Sequence, residues 1–249
     1  MLALGIFALI GQCFSYKILI MPVASGMNSH MLNMQKMADI LAEDGHQVSV
    51  ILNNRVKDHI ITKHANIINF YVPENVQDIS DLSVDDMNFE GLAFMDFIEK
   101  LTKIELEFCD SLINNKNAMR SLADGHFDLM IIDLFSECGN IISSHLNLTL
   151  IVYQNFGFYS ESDAFFPMLT SFTCHASGIA CVRDDMTFME RVGNMLFVII
   201  QNHYIYPAIR AKYINLVQQS GIQLQSPLEN FHQDKIVLVY VDYVLDSGT

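Results

Sequence analysis

The sequence predicts a doubly wound α/β fold, a parallel sheet with helices on both faces. Two observations carry this prediction. Short runs that are apolar nearly throughout recur along the chain, as strands buried on both faces require. Segments of helical period separate them, and that alternation gives parallel strands joined by right-handed crossovers. No internal repeat and no linker divides the 249 residues, so a single domain is expected.

Residues 16–22 (YKILIMP) read as the first strand, and 23–29 as a loop with one glycine, Gly26. In 30–44, Met34, Met37, Ala38 and Leu41 share one helical face, and Gly45 suits the left-handed residue that ends helices. Residues 47–52 (QVSVIL) then complete a βαβ unit. A third strand is expected over 65–73, followed by an acidic connection over 73–88. Helices follow over 92–113 and 116–123, a buried strand over 128–133 (DLMIID), a helix over 137–146 and a strand over 149–154 (TLIVYQ). Residues 155–182 are long, aromatic-rich and irregular. Residues 185–218 read as helical with a break or kink at Pro207, and 236–241 (IVLVYV) as the last strand.

Composition excludes several classes. The chain is 51% hydrophobic, which rules out disorder, and large enough to build a core without disulfide staples. Lys+Arg 14 against Asp+Glu 28 gives a net charge of -14, which argues against nucleic acid as a partner. The mean hydropathy of +0.26 is high for a soluble protein. Part of that excess lies in residues 2–10, an apolar run followed by Cys13 and Ser15 at spacing suited to a cleavage site. Residues 1–15 therefore read as a secretory signal peptide, although no Lys or Arg precedes Lys17.

Residues 138–160 carry no Asp, Glu, Lys or Arg but do carry Asn, His and Gln. With the short apolar stretch 195–200, they read as buried elements, membrane-surface contact being the alternative. Entry into the secretory pathway makes Asn147, in Asn147-Leu148-Thr149, a candidate glycan acceptor, bare if it lies tight against the core. Of Cys109, Cys138, Cys174 and Cys181, the last two are spaced to close a small loop; buried free thiols are the other reading. No metal-ligand spacing is present, and no metal is expected.

Familiar catalytic motifs are missing. The first strand–helix loop has no G-x-G-x-x-G, and the chain has no P-loop, no H-E-x-x-H and no G-x-S-x-G. What remains is His30, at the start of the first helix, and Asp133, at the end of a later strand. In a parallel sheet both fall on the carboxyl edge, where ligands bind. Together they suit a general base and the carboxylate that orients it. Spacing alone equally allows a cap or loop role for His30 and a helix N-cap role for Asp133.

Several segments, in order, resemble the N-terminal half of the UDP-glucuronosyltransferases and of the wider UDP-glycosyltransferase family. They are Lys17-Ile18-Leu19; the loop ending in Ser29-His30; Met37-Ala38-Asp39-Ile40-Leu41 running to Gly45-His46-Gln47-Val48; and Phe127-Asp128-Leu129 through Asp133 with Cys138-Gly139. Met186-Thr187-Phe188 with Arg191-Val192 and Asn194, and Asp242-Tyr243 with Leu245-Asp246, complete the set. The resemblance implies a Rossmann-like domain, 16–249, the N-terminal acceptor-binding domain of a GT-B glycosyltransferase. It implies that His30 is the catalytic base and Asp133 its partner, in inverting transfer from a UDP-sugar, UDP-glucuronate or UDP-glucose, to a small lipophilic acceptor. It also implies a detoxifying conjugation in the endoplasmic reticulum lumen or at its membrane.

The UDP-sugar is then a co-substrate, and no bound cofactor is expected. Asn155, Phe156 and Phe158 are candidates for the acceptor pocket. The family's donor domain and membrane span have no counterpart in these residues, so the chain alone is expected to be inactive. Alternatives are a truncated form that regulates full-length enzyme by homo- or hetero-oligomer formation, and a carrier of small molecules.

Overall fold

The computed structural model describes residues 15–23, 27–56, 62–82, 91–154, 186–225 and 236–239. Its elements run β1 (Lys17–Met21), α1 (Asn28–Glu43), β2 (Gln47–Asn53), β3 (Asn66–Phe70), α2 (Gly91–Ile113), α3 (Lys116–Asp124), β4 (Leu129–Asp133), α4 (Glu137–Leu146), β5 (Thr149–Gln154), α5 (Phe188–Ile200), α6 (Tyr206–Ser220) and β6 (Ile236–Val239). One six-stranded sheet has the order β3-β2-β1-β4-β5-β6, and every pairing is parallel. This is the doubly wound, Rossmann-like order, with its switch point between β1 and β4.

The alternation of side chains along each strand builds two cores. Ile18 and Ile20 of β1, Val48 and Val50 of β2 and Ile131 of β4 pack on one face with Met31, Met34 and Ala38 of α1. Leu19, Met21, Met130 and Ile132 pack on the other with Phe108 and Leu112 of α2, Leu122 of α3 and Ile141 of α4. Near-continuous apolar strands are the sequence consequence of a sheet covered on both sides.

Element ends depart from the sequence reading for local reasons. Helix α1 begins at Asn28 rather than His30, because the Met27 carbonyl already accepts from the Met31 N–H at 3.0 Å. Gly45 follows α1 at φ 93, the left-handed geometry expected of it. Strand β3 stops at Phe70, and the Val72 N–H turns to the Asn54 side-chain oxygen at 2.7 Å instead of a ladder partner. The expected break at Pro207 takes the form of a π-helical turn, Gln201–Ile205, just before α6. Proline has no N–H to donate and its ring crowds the carbonyl four residues back, so the turn before it widens. The continuation of β6 beyond Val239 lies outside the described residues.

A carboxylate pins α1 to the loop before β3. Asp39 is buried and accepts from the Thr62 hydroxyl at 2.6 Å and from the Lys63 and His64 N–H groups at 2.9 and 3.0 Å. Burial by itself would raise its pKa, but these hydrogen bonds to the ionised form, with a smaller charge contribution from His64, prevail and lower it. On α6, burial pushes the Tyr213 hydroxyl well above its usual pKa, with Glu105 and Glu137 adding to the effect. It therefore stays neutral inside the core.

A disulfide joins Cys109 in α2 to Cys138 in the first turn of α4, both fully buried. This corrects the reading of these two as free thiols. The pair is 29 residues apart in sequence and meets through the packing of α2 on α4, which spacing does not reveal. Cys174 and Cys181 lie outside the described residues.

Candidate active site at the β1–β4 switch point

Two facts of chain geometry bring His30 and Asp133 together. Met21, the end of β1, pairs with Ile132, so Asp133 stands one residue past the end of the neighbouring strand. Alternation along β4 puts Asp133 on the same face as Ile131, the face that α1 covers. His30 is the third residue of α1, one residue before Met31, which is anchored in that core. The connections after β1 and β4 diverge to opposite faces, and the dyad lies where they part.

The His30 Nδ1 is 2.7 Å from the Asp133 Oδ2, with relative exposures of 4% and 0%. A carboxylate accepts and does not donate, so Nδ1 carries the proton and donates to it. This contact fixes the imidazole tautomer and directs the lone pair to Nε2. The other carboxylate oxygen, Oδ1, accepts from the Phe135 N–H at 3.0 Å. Asp133 is not the N-cap of α4, since that place belongs to Ser136, whose hydroxyl accepts from the Gly139 N–H at 3.3 Å.

The strand end is held from behind. A Cβ added at Gly139 would meet the Ile132 Cγ2 at 2.5 Å, so α4 approaches β4 as closely as a glycine allows. One residue earlier in α4, Cys138 carries the disulfide to α2. The carboxylate therefore projects from a strand clamped on its far face.

Phe135 escaped the sequence reading. Its ring centroid is 5.6 Å from that of His30, tilted by 49°, and the residue stays 37% exposed. An aromatic two positions past a strand-ending aspartate was the available signal, and it is weak alone. Asn155, Phe156 and Phe158 lie outside the described residues, as do residues 1–14 and 242–246 of the signal-peptide and C-terminal readings.

Asn147 sits at the opposite edge of the sheet. It ends α4 in the left-handed conformation (φ 54, ψ 48), and both it and Thr149 are exposed. Between them Leu148 is partly buried against the core, so the sequon is anchored at its middle residue and open at its two ends. Among the described residues no group of three or more His, Cys, Asp or Glu is placed to hold a metal ion, and no helix is long and apolar enough to cross a membrane.

Residues 16–246 match the family model described as UDP-glucoronosyl and UDP-glucosyl transferase. UDP-glucuronosyltransferase 2B1 of Rattus norvegicus is 27% identical over 197 residues, covering 72% of this chain and 37% of the relative. UDP-glucuronosyltransferase 1A1 of Homo sapiens is 26% identical over 215 residues, covering 82% of this chain and 39% of the relative. The chain thus spans well under half the length of these curated relatives. Among solved structures, the calicheamicin glycosyltransferase CalG4 superposes with a TM-score of 0.51 at 12% identity, over 90% of this chain and 47% of that one. That likeness concerns the fold, the N-terminal Rossmann-like domain of a GT-B glycosyltransferase.

Proposed function

From the premise that the chain belongs to the UDP-glucuronosyl and UDP-glucosyl transferase family, we propose that it is the acceptor-binding, base-carrying part of a UDP-glycosyltransferase. His30 takes the proton of an acceptor hydroxyl through Nε2. The acceptor oxygen attacks the anomeric carbon of the UDP-sugar, the bond from that carbon to the diphosphate breaks, and UDP leaves with the electron pair. Attack opposite the leaving group inverts the configuration. Asp133 keeps Nδ1 protonated beforehand and steadies the imidazolium afterwards. The observation that carries this reading is the buried 2.7 Å contact between residues 103 apart in sequence, at the switch point of the sheet.

The acceptor is a small lipophilic molecule, with Asn155, Phe156 and Phe158 as pocket candidates. The donor, UDP-glucuronate or UDP-glucose, is met mainly by parts of such enzymes that these residues do not match. The protein works in the secretory pathway, at the endoplasmic reticulum, in conjugation of the detoxifying kind. The buried disulfide supports that compartment, since such bonds persist where conditions are oxidising.

The test uses the 249-residue chain alone and the same chain joined to the C-terminal half of the rat relative. The joined protein is expected to release UDP from UDP-glucuronate or UDP-glucose when 1-naphthol is supplied, and the chain alone is not. Turnover by the chain alone at an ordinary enzymatic rate of ~1–10³ s⁻¹ would refute the division of labour. A joined protein that transfers with neither sugar would refute the transferase reading.

Asn147 is proposed to carry an N-glycan on the edge away from the dyad, which its exposure and that of Thr149 support. Expressed in a secreting eukaryotic cell, the chain should run larger than its Asn147→Gln variant and collapse to the same size on peptide-N-glycosidase treatment. Identical mobility before treatment would show the site bare.

A further inference from the structure

We propose that His46 is the receptor for the amino terminus of the processed chain, the α-ammonium of Tyr16 released when the Ser15–Tyr16 bond is cut; the proposal rests on the secretory reading above. His46 and Asp128 belong to segments that carry the family resemblance, yet they lie at the amino edge of the sheet, opposite the dyad. Strand β1 is central there. Lys17 pairs with Gln47 on one side and Ile18 with Leu129 on the other, which sets His46 beside Tyr16 and Asp128 beside Lys17.

Both side chains grip the start of β1. The His46 Nδ1 accepts from the Tyr16 N–H at 3.3 Å, and the two rings stand 5.8 Å apart, tilted by 50°. The Tyr16 carbonyl accepts from the Gln47 N–H at 2.9 Å. The Asp128 Oδ2 accepts from the Lys17 N–H at 2.7 Å, and the Lys17 carbonyl accepts from the Asp128 N–H at 2.8 Å. Every main-chain polar group of Tyr16 and Lys17 thus has a partner. Ser15 adds one exposed bond, from its hydroxyl to the Gly45 carbonyl at 2.8 Å. Cys13 and Ser15 have the small-residue spacing of a leader cleavage site, and the bond it selects falls just before Tyr16. The cut and the beginning of the clasp coincide.

A signal-processing endopeptidase and one water carry out the step. The C–N bond between Ser15 and Tyr16 breaks. The oxygen of the water goes to the Ser15 carbon, which leaves as a carboxylate on the leader, and both its protons end on the Tyr16 nitrogen. That nitrogen is now an ammonium facing the lone pair of His46 Nδ1. The contact becomes charge-assisted, about twice as strong as the amide bond it replaces.

The test expresses the chain with its own leader in a secreting eukaryotic cell. Intact mass and amino-terminal sequencing of the secreted product should give Tyr16 as the first residue. Acetic anhydride at about pH 7 then probes the amine, because an α-amino group of pKa about 7.7–8.0 reacts ahead of lysine at about 10.4. A hydrogen-bonded amine is shielded. Tyr16 in the folded parent should therefore label about two- to tenfold more slowly than in the His46→Phe variant, which keeps a ring beside Tyr16 and removes the acceptor. The parent unfolded in urea supplies a second reference, independent of how the variant folds. A different first residue, or Tyr16 labelling as fast in the folded parent as in the references, would overturn the proposal. A chain retained in the cell with its leader attached would sink the secretory reading with it. A secreted chain that begins at Tyr16 and labels at the unshielded rate would sink the receptor alone.

Discussion

His30→Ala, made in the chain joined to a donor half, should lose sugar transfer by about 10²–10⁴-fold while the affinity for 1-naphthol stays within a few-fold. The magnitude is that of removing a positioned general base. The selectivity follows from the proposed roles, in which His30 takes the proton of the reacting hydroxyl and other residues hold the skeleton of the acceptor. Asp133→Asn should cost a comparable factor for a different reason. An amide NH₂ facing Nδ1 favours the opposite tautomer, which puts the proton on Nε2, where the lone pair is needed. The N–H of Phe135 still has a carbonyl oxygen to bond, so the strand end keeps its shape. Combining the two substitutions should cost little beyond the worse single one, because the residues act as a unit. UDP release measured at saturating donor reads all three. A His30→Ala rate above a tenth of the parent, or strictly multiplicative losses, would remove His30 and Asp133 from the roles assigned to them.

Replacing both Cys109 and Cys138 by alanine should lower the unfolding free energy by about 3–4 kcal/mol. The chain-entropy relation gives that range for a closed loop of 29 residues. Both sulfurs are buried, so the deletion also removes packing between α2 and α4. For a domain of this size the melting temperature should fall by very roughly 6–16 °C, at about 2–4 °C per kcal/mol. Urea denaturation at equilibrium, with non-reducing gels to confirm the bond in the parent, gives the direct measurement. A loss under about 1 kcal/mol would show that the cross-link adds little to the fold. Because Cys138 lies in the first turn of α4, five residues after Asp133, the same variant in the joined enzyme should also lower kcat more than it raises KM. Helix α4 backs the end of β4 that carries Asp133, so loosening it disturbs the aim of that carboxylate first.

Much of the architecture was legible in the residues. Runs such as Ile18-Leu19-Ile20-Met21 and Leu129-Met130-Ile131-Ile132 have no polar face, and a strand with no polar face must be covered twice. Gly45 marked a helix end because its φ of 93 is strained for residues with a Cβ. The boundaries of α4 and β5 agree with the sequence reading to the residue, because Ser136 offers a cap and Asn147 a left-handed exit. The start of α1 was less legible: its N-cap is Met27, which has no side-chain oxygen to accept from the first turn, so the usual capping signal is missing there.

The sequence by itself determined the fold class, the family and the two residues worth bringing together. Those depend on local pattern: hydrophobic period, caps, and short motifs in order. What only the tertiary structure decided were relations between distant parts of the chain. It decided that Asp133 turns its Oδ2 to His30 rather than capping α4, that Cys109 finds Cys138, and that Phe135 leans on the imidazole from the edge of the sheet. Each depends on which strands are neighbours and on which face a helix lands. Strand order and crossover hand fix those choices, and the spacing between residues in the chain does not record them.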